Sequence, residues 1–218
     1  MTNGVFITDS TNGVRIRADV PLTIRNGYQV RVVSFSGLSD QLEHVALVFD
    51  GDSESSDAPL VRLHSQCLTG DVFGSTRCDC GGQLQDAMDR MAQDGGILLY
   101  LIQEGRGIGL YNKLDAYKLQ IEEGMDTYEA NQHIGQPDDA RDYKVASEML
   151  GALGISALKL LSNNPDKVDQ LVNYGMKVVA RVPTEVHVNA DNVNYLEAKI
   201  KKSGHDIDLS GACCSWHE

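Results

Sequence analysis

Long apolar runs are missing from this sequence, and so is any hydrophobic core near its start. No segment approaches the roughly 20 apolar residues that cross a bilayer, and the opening MTNGVFITDSTNGVRIRADV carries no apolar signal core. Neither a membrane span nor a secretory leader is expected, and the chain is expected to work in the cytoplasm. Positive charge is scarce as well: 19 Lys and Arg face 31 Asp and Glu, for a net charge of −12. Affinity for nucleic acid rests on phosphate neutralisation by basic side chains. Broad nucleic-acid binding is therefore disfavoured, and any phosphate site must be local. Internal repeats and low-complexity linkers are absent. Cysteine is rare and odd in number, five in 218 residues, which suits a reducing compartment better than a disulfide framework.

What is present begins with those cysteines. Three fall in one stretch, VRLHSQCLTGDVFGSTRCDCGGQ, over residues 61–83. Ten residues separate Cys67 from Cys78 and one separates Cys78 from Cys80, so a short loop can return the first sulfur to the pair. Three thiolates with no obvious fourth ligand fit a catalytic zinc, whose remaining position takes water or substrate. Zinc lowers the pKa of its water from about 15.7 toward about 7, which makes a hydrolytic nucleophile available at neutral pH. Two other readings stand beside this one. The cysteines can be free thiols packed as small hydrophobes, although Ser65, Gln66, Thr69, Asp71, Arg77 and Asp79 make a polar setting. They can also hold a structural zinc closed by His64 or a distant histidine.

The composition, 42% hydrophobic and 23% charged, is that of a soluble globular protein, and the length allows a sizeable core. Residues 28–35 (YQVRVVSF), 44–49 (HVALVF) and 60–64 (LVRLH) predict strands, divided by turn-rich segments such as GDSESSDAP. The residues before them, 1–26, predict an arm or an edge strand. Leu84, Ala87, Met88 and Met91 recur at helical spacing and predict a helix ended by Gly95 and Gly96. A buried strand follows at 97–102. Leu110, Leu114, Tyr117 and Ile121 mark a second helix, and residues 145–153 a third. Residues 157–161 predict another strand, leading through an Asn cap into a helix with Pro165 at its first position. A strand at 177–182 and a last helix at 192–202 complete the reading. The expectation is an α/β (mixed α+β) single domain over 1–218, a mixed sheet flanked by helices, with a tail at 206–218. Cys213, Cys214, Trp216 and His217 near the end are read as a mobile terminus, with a second metal site as the alternative.

A second constellation is QEGRGIGLYNKL at 103–114, between a buried strand and a helix. Gly105, Gly107 and Gly109 let backbone approach a ligand, and the helix start offers N–H groups to a diphosphate. The same glycines also serve simply to make a turn. Arg62, Arg77, Arg106, Arg141 and Lys167 sit at or near predicted element ends, where side chains can converge on a cleft. In DDARDY, 138–143, the acids read either as helix-capping groups or as a proton-moving carboxylate beside a phosphate-binding Arg141.

The ordered blocks HVALVF, VRLHSQCLTGDVFGSTRCDCGGQL, GILLY, QEGRGIGLYNKL, AYKLQ, DTYEAN, RDY, LLSNNPDK, RVP and YLEAKIKKSGH run from about His44 to His205. Through them the chain resembles the GTP cyclohydrolase II family. The resemblance implies a zinc ion on Cys67, Cys78 and Cys80. It implies hydrolysis of GTP at guanine C8, giving formate, diphosphate and 2,5-diamino-6-ribosylamino-4(3H)-pyrimidinone 5′-phosphate, the opening step of riboflavin biosynthesis. It implies Arg141 as nucleophile at the α-phosphate, Asp139 as proton acceptor and Tyr117 beside the reacting ring. Arginine is a poor nucleophile at its usual pKa, so stabilising phosphoryl charge is its easier role.

Substrate contacts implied in the same way are Arg62, Leu63, His64, Ser65, Gln66, Gln83, Glu104, Gly105, Arg106, Thr127, Ser162 and Lys167. Glu104 would accept from the guanine N1–H and amino group. Mg²⁺ would accompany the triphosphate, and the chain would act as a homodimer, without nucleic-acid or membrane partners. Gln66 stands where the family commonly has Glu, Ile102 and Asp115 where basic residues are usual, and Ser162 where Thr is common. These departures bear on product and pathway. A diverged paralogue in a specialised pathway, an enzyme that stops at the formamidopyrimidine, and an inactive nucleotide-binding homologue are the alternatives.

Overall fold

Runs of Val, Ile, Leu and aromatic residues in this chain form strands because branched and flat side chains pack well on a pleated surface. The computed structural model describes residues 13–51, 58–189 and 192. The strands are β1 (Arg15–Thr23), β2 (Gln29–Ser36), β3 (Val45–Phe49), β4 (Leu60–Ser65), β5 (Gly96–Leu101), β6 (Ala157–Leu161) and β7 (Lys177–Val182). They make one sheet in the order β1-β2-β3-β5-β4-β6-β7. Neighbours from β1 to β5 run antiparallel, and those from β5 through β4 and β6 to β7 run parallel. Of the two expectations for the opening segment, the edge strand is what forms. Its sequence, RIRADVPLT, is exposed over most of its length, and a proline is tolerated at an edge.

Among the described residues five α-helices accompany the sheet: α1 (Cys80–Asp94), α2 (Leu110–Glu122), α3 (Thr127–His133), α4 (Lys144–Ala152) and α5 (Pro165–Asn173). Alternation along β5 sends Ile97, Leu99 and Leu101 to one face and Leu98 to the other. On the first face they meet Val145, Met149 and Leu150 of α4 and Leu171 of α5. On the second, Leu98 meets Ala87, Met88 and Met91 of α1. Each fully buried aliphatic side chain contributes about 1.5–3 kcal/mol, so these two layers fix the central strands. Parallel strands need a crossover, and α1 supplies it between β4 and β5. The C-terminal ends of β4, β5 and β6 therefore open on one edge of the sheet, the usual place for a ligand in such folds.

Three details differ from the sequence reading. Helix α2 forms, but its marker residues do not define its buried side. Leu114 and Ile121 are 44% and 65% exposed, while Lys113 and Ala116 are buried. Helix α3 was not expected, although its start is a complete capping box: Asp126 accepts from the Tyr128 and Glu129 N–H groups, and Glu129 accepts from the Asp126 N–H. The acids of DDARDY lie in the loop before α4, where Asp142 accepts the Lys144 N–H at 2.7 Å. The helix expected at 192–202, apart from Asn192, and the tail with Cys213, Cys214, Trp216 and His217 lie outside the described residues.

Candidate metal centre and nucleotide cleft

Cys67 is two residues past β4, and the sheet itself holds it in place. The Gln66 N–H donates to the Leu101 carbonyl at 2.8 Å, continuing the β4–β5 ladder. The Cys67 N–H donates to Asp71 Oδ2 at 2.9 Å. Asp71 is in turn fixed by the Tyr100 hydroxyl at 2.9 Å and by His64 Nε2 at 3.0 Å. A single wide turn, Leu68–Val72, then carries the chain back so that Cys78 and Cys80, the latter opening α1, meet the first sulfur.

The three Sγ atoms lie within 4.8 Å of one another, and Cys67 and Cys78 are 3.7 Å apart. Zn–S bonds of about 2.3 Å in a tetrahedron put two sulfurs about 3.8 Å apart, so the donor set matches zinc in kind and spacing. Gly70 makes the convergence possible. A Cβ there would stand 2.8 Å from Cys78 Sγ and 3.2 Å from Cys67 Sγ. Among the described residues no fourth His, Cys, Asp or Glu joins the group. His64, the candidate for closing the site, instead spends its Nε2 on Asp71.

The sulfurs are unequal before any metal arrives. Hydrogen bonds from Cys78 and Cys80, with the Lys113 ammonium nearby, hold the Cys67 thiol far below its usual range. The hydrogen bond to Cys67 pushes Cys78 up to about 11, and hydrogen bonding within the trio together with burial pushes Cys80 well up. One thiolate solvated by two thiols is a group ready to exchange protons for a cation.

Lys113 was not among the expected site residues, yet it is only 7% exposed and lies against the cluster. Its Nζ is 3.2 Å from Cys67 Sγ, 2.9 Å from Thr69 Oγ1 and 2.8 Å from Glu104 Oε1. The Glu104 carboxylate also accepts from the Gly105 and Leu68 N–H groups at 3.0 and 2.7 Å. The only available hint was position: Lys113 stands one helical turn before Tyr117, on the same face.

A cleft opens beside the cysteines. Of the expected residues, Ser65, Gln66, Cys67, Cys78, Cys80, Glu104, Gly105, Arg106, Tyr117, Thr127 and Arg141 line it, joined by Gln103, Lys113, Gln120 and Asn131. Arg106 adopts φ 60°, a left-handed conformation disfavoured for a side-chain-bearing residue. Its carbonyl accepts the Ala140 N–H at 2.9 Å, tying this turn to the loop that carries Arg141. The Tyr117 ring is flanked by the Arg77 guanidinium at 5.1 Å and Lys113 Nζ at 5.5 Å.

The other expected residues stand behind this wall. Leu63 is in the core. Arg62 is buried and donates to the Leu161 carbonyl and to Gln83 Oε1 at 3.1 and 2.8 Å. Lys167 Nζ reaches the Leu63 carbonyl at 2.8 Å, and Ser162 Oγ accepts the Asn164 N–H at 3.0 Å. Asp139 pairs with Arg141. Arg141 and Lys167 flank the ring of Tyr143, at 5.9 and 5.3 Å from its centroid. The Tyr143 hydroxyl is buried, with the Ser65 side chain as its polar neighbour. Tyr143 reads as an ordinary core residue in the sequence, and nothing there marks it.

These blocks recur together in known proteins. The family model described as GTP cyclohydrolase II matches residues 15–183. A protein named GTP cyclohydrolase-2 from Vibrio parahaemolyticus is 50% identical over 196 residues, covering 90% of this chain and 98% of that protein. One of the same name from Aliivibrio salmonicida is 52% identical over the same shares. Riboflavin biosynthesis protein RibBA from Bacillus cereus is 47% identical over 89% of this chain and 49% of its own length. With its match running from the first strand to the end of the last, and its three cysteines converged beside a cleft, this chain belongs to the GTP cyclohydrolase II family.

Proposed function

We propose that the protein hydrolyses GTP, opening the guanine imidazole ring at C8. Formate and diphosphate leave, and 2,5-diamino-6-ribosylamino-4(3H)-pyrimidinone 5′-phosphate remains, as the first step of riboflavin biosynthesis. The observation that carries this reading is a three-sulfur cluster and Arg141 lining one and the same cleft. Cys67, Cys78 and Cys80 would hold a zinc ion, which when bound supplies Lewis acidity and an activated water. The remaining tasks fall to side chains.

Arg141 stabilises charge on the phosphates, its fork suited to two oxygens at once. Asp139 holds that fork in place and accepts a proton once the guanidinium turns to substrate. Tyr117, between two cations and facing the cleft, orients the reacting ring or passes a proton through its hydroxyl. Ser65, Gln66, Gly105, Arg106 and Thr127 form the binding wall, and Arg62, Gln83, Ser162 and Lys167 support it from behind. Leu63 and His64 position the strand that leads to Cys67. Glu104, on the cleft wall, accepts from the guanine N1–H and amino group. Mg²⁺ accompanies the triphosphate, the working form is a homodimer, and the setting is the cytoplasm.

A second reading keeps the ring opening and stops at the formamidopyrimidine. It is favoured by Gln66, a neutral side chain on the cleft wall, which cannot act as a general base for a second hydrolysis. One experiment decides between them: metal content of the purified chain, with formate and diphosphate measured after incubation with GTP. One zinc per chain with equal formate and diphosphate supports full hydrolysis. Diphosphate without formate supports the shorter reaction, and zinc with neither product supports a binding protein without turnover.

A further inference from the structure

A lysine buried against a metal-binding cysteine needs a reason. Removing an ammonium from water is costly unless its donors are matched, and those of Lys113 are matched completely. An ammonium has three N–H donors. The three oxygen and sulfur atoms around Nζ belong to Cys67, Thr69 and Glu104, at 3.2, 2.9 and 2.8 Å. No donor is left over for substrate, so the side chain serves the cluster.

Charge supplies the reason. Three thiolates around a divalent cation carry a net charge of −1 in a buried place, and they donate so much electron density that the metal becomes a weaker Lewis acid. A cation hydrogen-bonded to one sulfur offsets both effects. It offsets part of the sulfurs' excess negative charge, and its N–H draws density from Cys67. Partners beyond the ligands of a metal site tune it in this way. Glu104 shares the same ammonium, so the two anions compete for it.

We propose that Lys113 is a positioning residue for the metal centre: its ammonium offsets negative charge at the three-cysteine cluster, limits the donor strength of Cys67, and is itself tensioned by Glu104. This rests on the metal reading given above. It adds a residue that neither sequence periodicity nor ligand spacing singles out.

The test uses the full-length protein loaded with Co²⁺, whose sulfur-to-cobalt charge-transfer band reports donor strength at the ligands. Removing the N–H from Cys67 raises the sulfur orbitals, so Lys113→Met is expected to move the band to lower energy. Removing the competing anion strengthens the hold on Cys67, so Glu104→Gln is expected to move it the other way. With zinc, Lys113→Met is expected to keep one ion per chain and lose about 10–100-fold in turnover, with KM for GTP changed little. A lysine that merely fills space predicts no band movement in either variant, and that result overturns the proposal. Shifts in the same direction also overturn it. Should Lys113→Met fail to fold, the direction of the Glu104→Gln shift decides alone. Wild-type protein that binds no Co²⁺ through sulfur overturns the metal reading itself, an outcome distinct from an unmoved band.

Discussion

The guanidinium of Arg141 grips the Asp139 carboxylate with both prongs, Nε to Oδ1 at 2.9 Å and Nη2 to Oδ2. The arginine side chain is 14% exposed and the aspartate 40%, so Arg141 lines the cleft and Asp139 braces it. Burial raises the Asp139 pKa, but hydrogen bonds and charge from Arg141 outweigh it and hold the carboxyl below its usual range. A carboxylate engaged in this way accepts a proton poorly until the guanidinium turns to a phosphate. Lysine carries the charge without the fork. Arg141→Lys is therefore expected to lose about 10²–10³ in turnover, the scale for removing one preorganised charge-stabilising donor, and to rescue little relative to Arg141→Ala. Rates of diphosphate and formate release from the two variants check this. A lysine variant near wild-type rate would mean that charge alone suffices.

The cysteine cluster depends on a residue that supplies no ligand. A Cβ on Gly70 would stand 2.8 Å from Cys78 Sγ, closer than real contacts permit, and a tight 3.0 Å from Cys80 Cβ. Because these neighbours are the ligands, the added methyl displaces the metal geometry before it disturbs the core. Gly70→Ala is expected to weaken zinc binding at least 10-fold, as a lost supporting contact does. The metal-free protein should lose no more than about 1–3 kcal/mol, the range for overpacking. Competition against a chromophoric chelator measures the first, and urea unfolding measures the second.

His64 gives the fold a pH dependence with a definite sign. Burial lowers its pKa, and the Asp71 partner opposes this without reversing it. The folded chain thus favours neutral His64, while the unfolded chain binds a proton near pH 6.5. The unfolded state binds more protons below that value, so the stability contribution is present above about pH 6.5 and is lost as pH falls toward the lower folded pKa. Metal-free protein is the right material, since zinc release adds its own pH dependence. The drop in urea midpoint between pH 7.5 and 5.5 should be larger for the wild type than for His64→Gln. Equal drops would place the proton uptake elsewhere.

The strands were legible because their residues obey a local rule. Val30, Val33, Ala46, Leu63 and Leu99 are buried where branched and apolar runs say a sheet should be. The Asn164 cap and Pro165 start were equally local, and Asn164 accepts the Asp166 N–H at 2.9 Å as expected. Helix α2 shows where such rules stop. Apolar spacing marks a helix through Leu114 and Ile121, but Lys113 turns to Cys67 and, with Ala116, lines the cleft, so that side is the buried one. Helix α3 was missed because seven residues are too few for periodicity to register, although its capping box was readable at Asp126 and Glu129. The cysteine trio was found from spacing. Lys113 and Tyr143 were not, because their importance comes from contacts between segments distant in the chain.

Tyr143 offers the sharpest separation of folding from binding. Burial pushes its hydroxyl up to about 12 despite the opposing Arg141 charge, so it remains a hydrogen-bond donor throughout the neutral range. Ser65 is its poorly aligned hydrogen-bonding neighbour, and a buried donor so weakly matched costs stability, about 1–3 kcal/mol for its desolvation. Its ring lies 5.9 Å from the Arg141 guanidinium and 5.3 Å from the Lys167 ammonium, so a phosphate drawn to Arg141 would come to rest near it. Tyr143→Phe is then expected to leave the thermal midpoint unchanged or slightly higher. In the same variant KM for GTP should rise about 10-fold or more, since hydrogen bonds to charged groups are worth about 1.5–3 kcal/mol. Thermal scans and steady-state kinetics on one preparation give both numbers. A lower midpoint with an unchanged KM would show that the hydroxyl works for the fold and not for the phosphate.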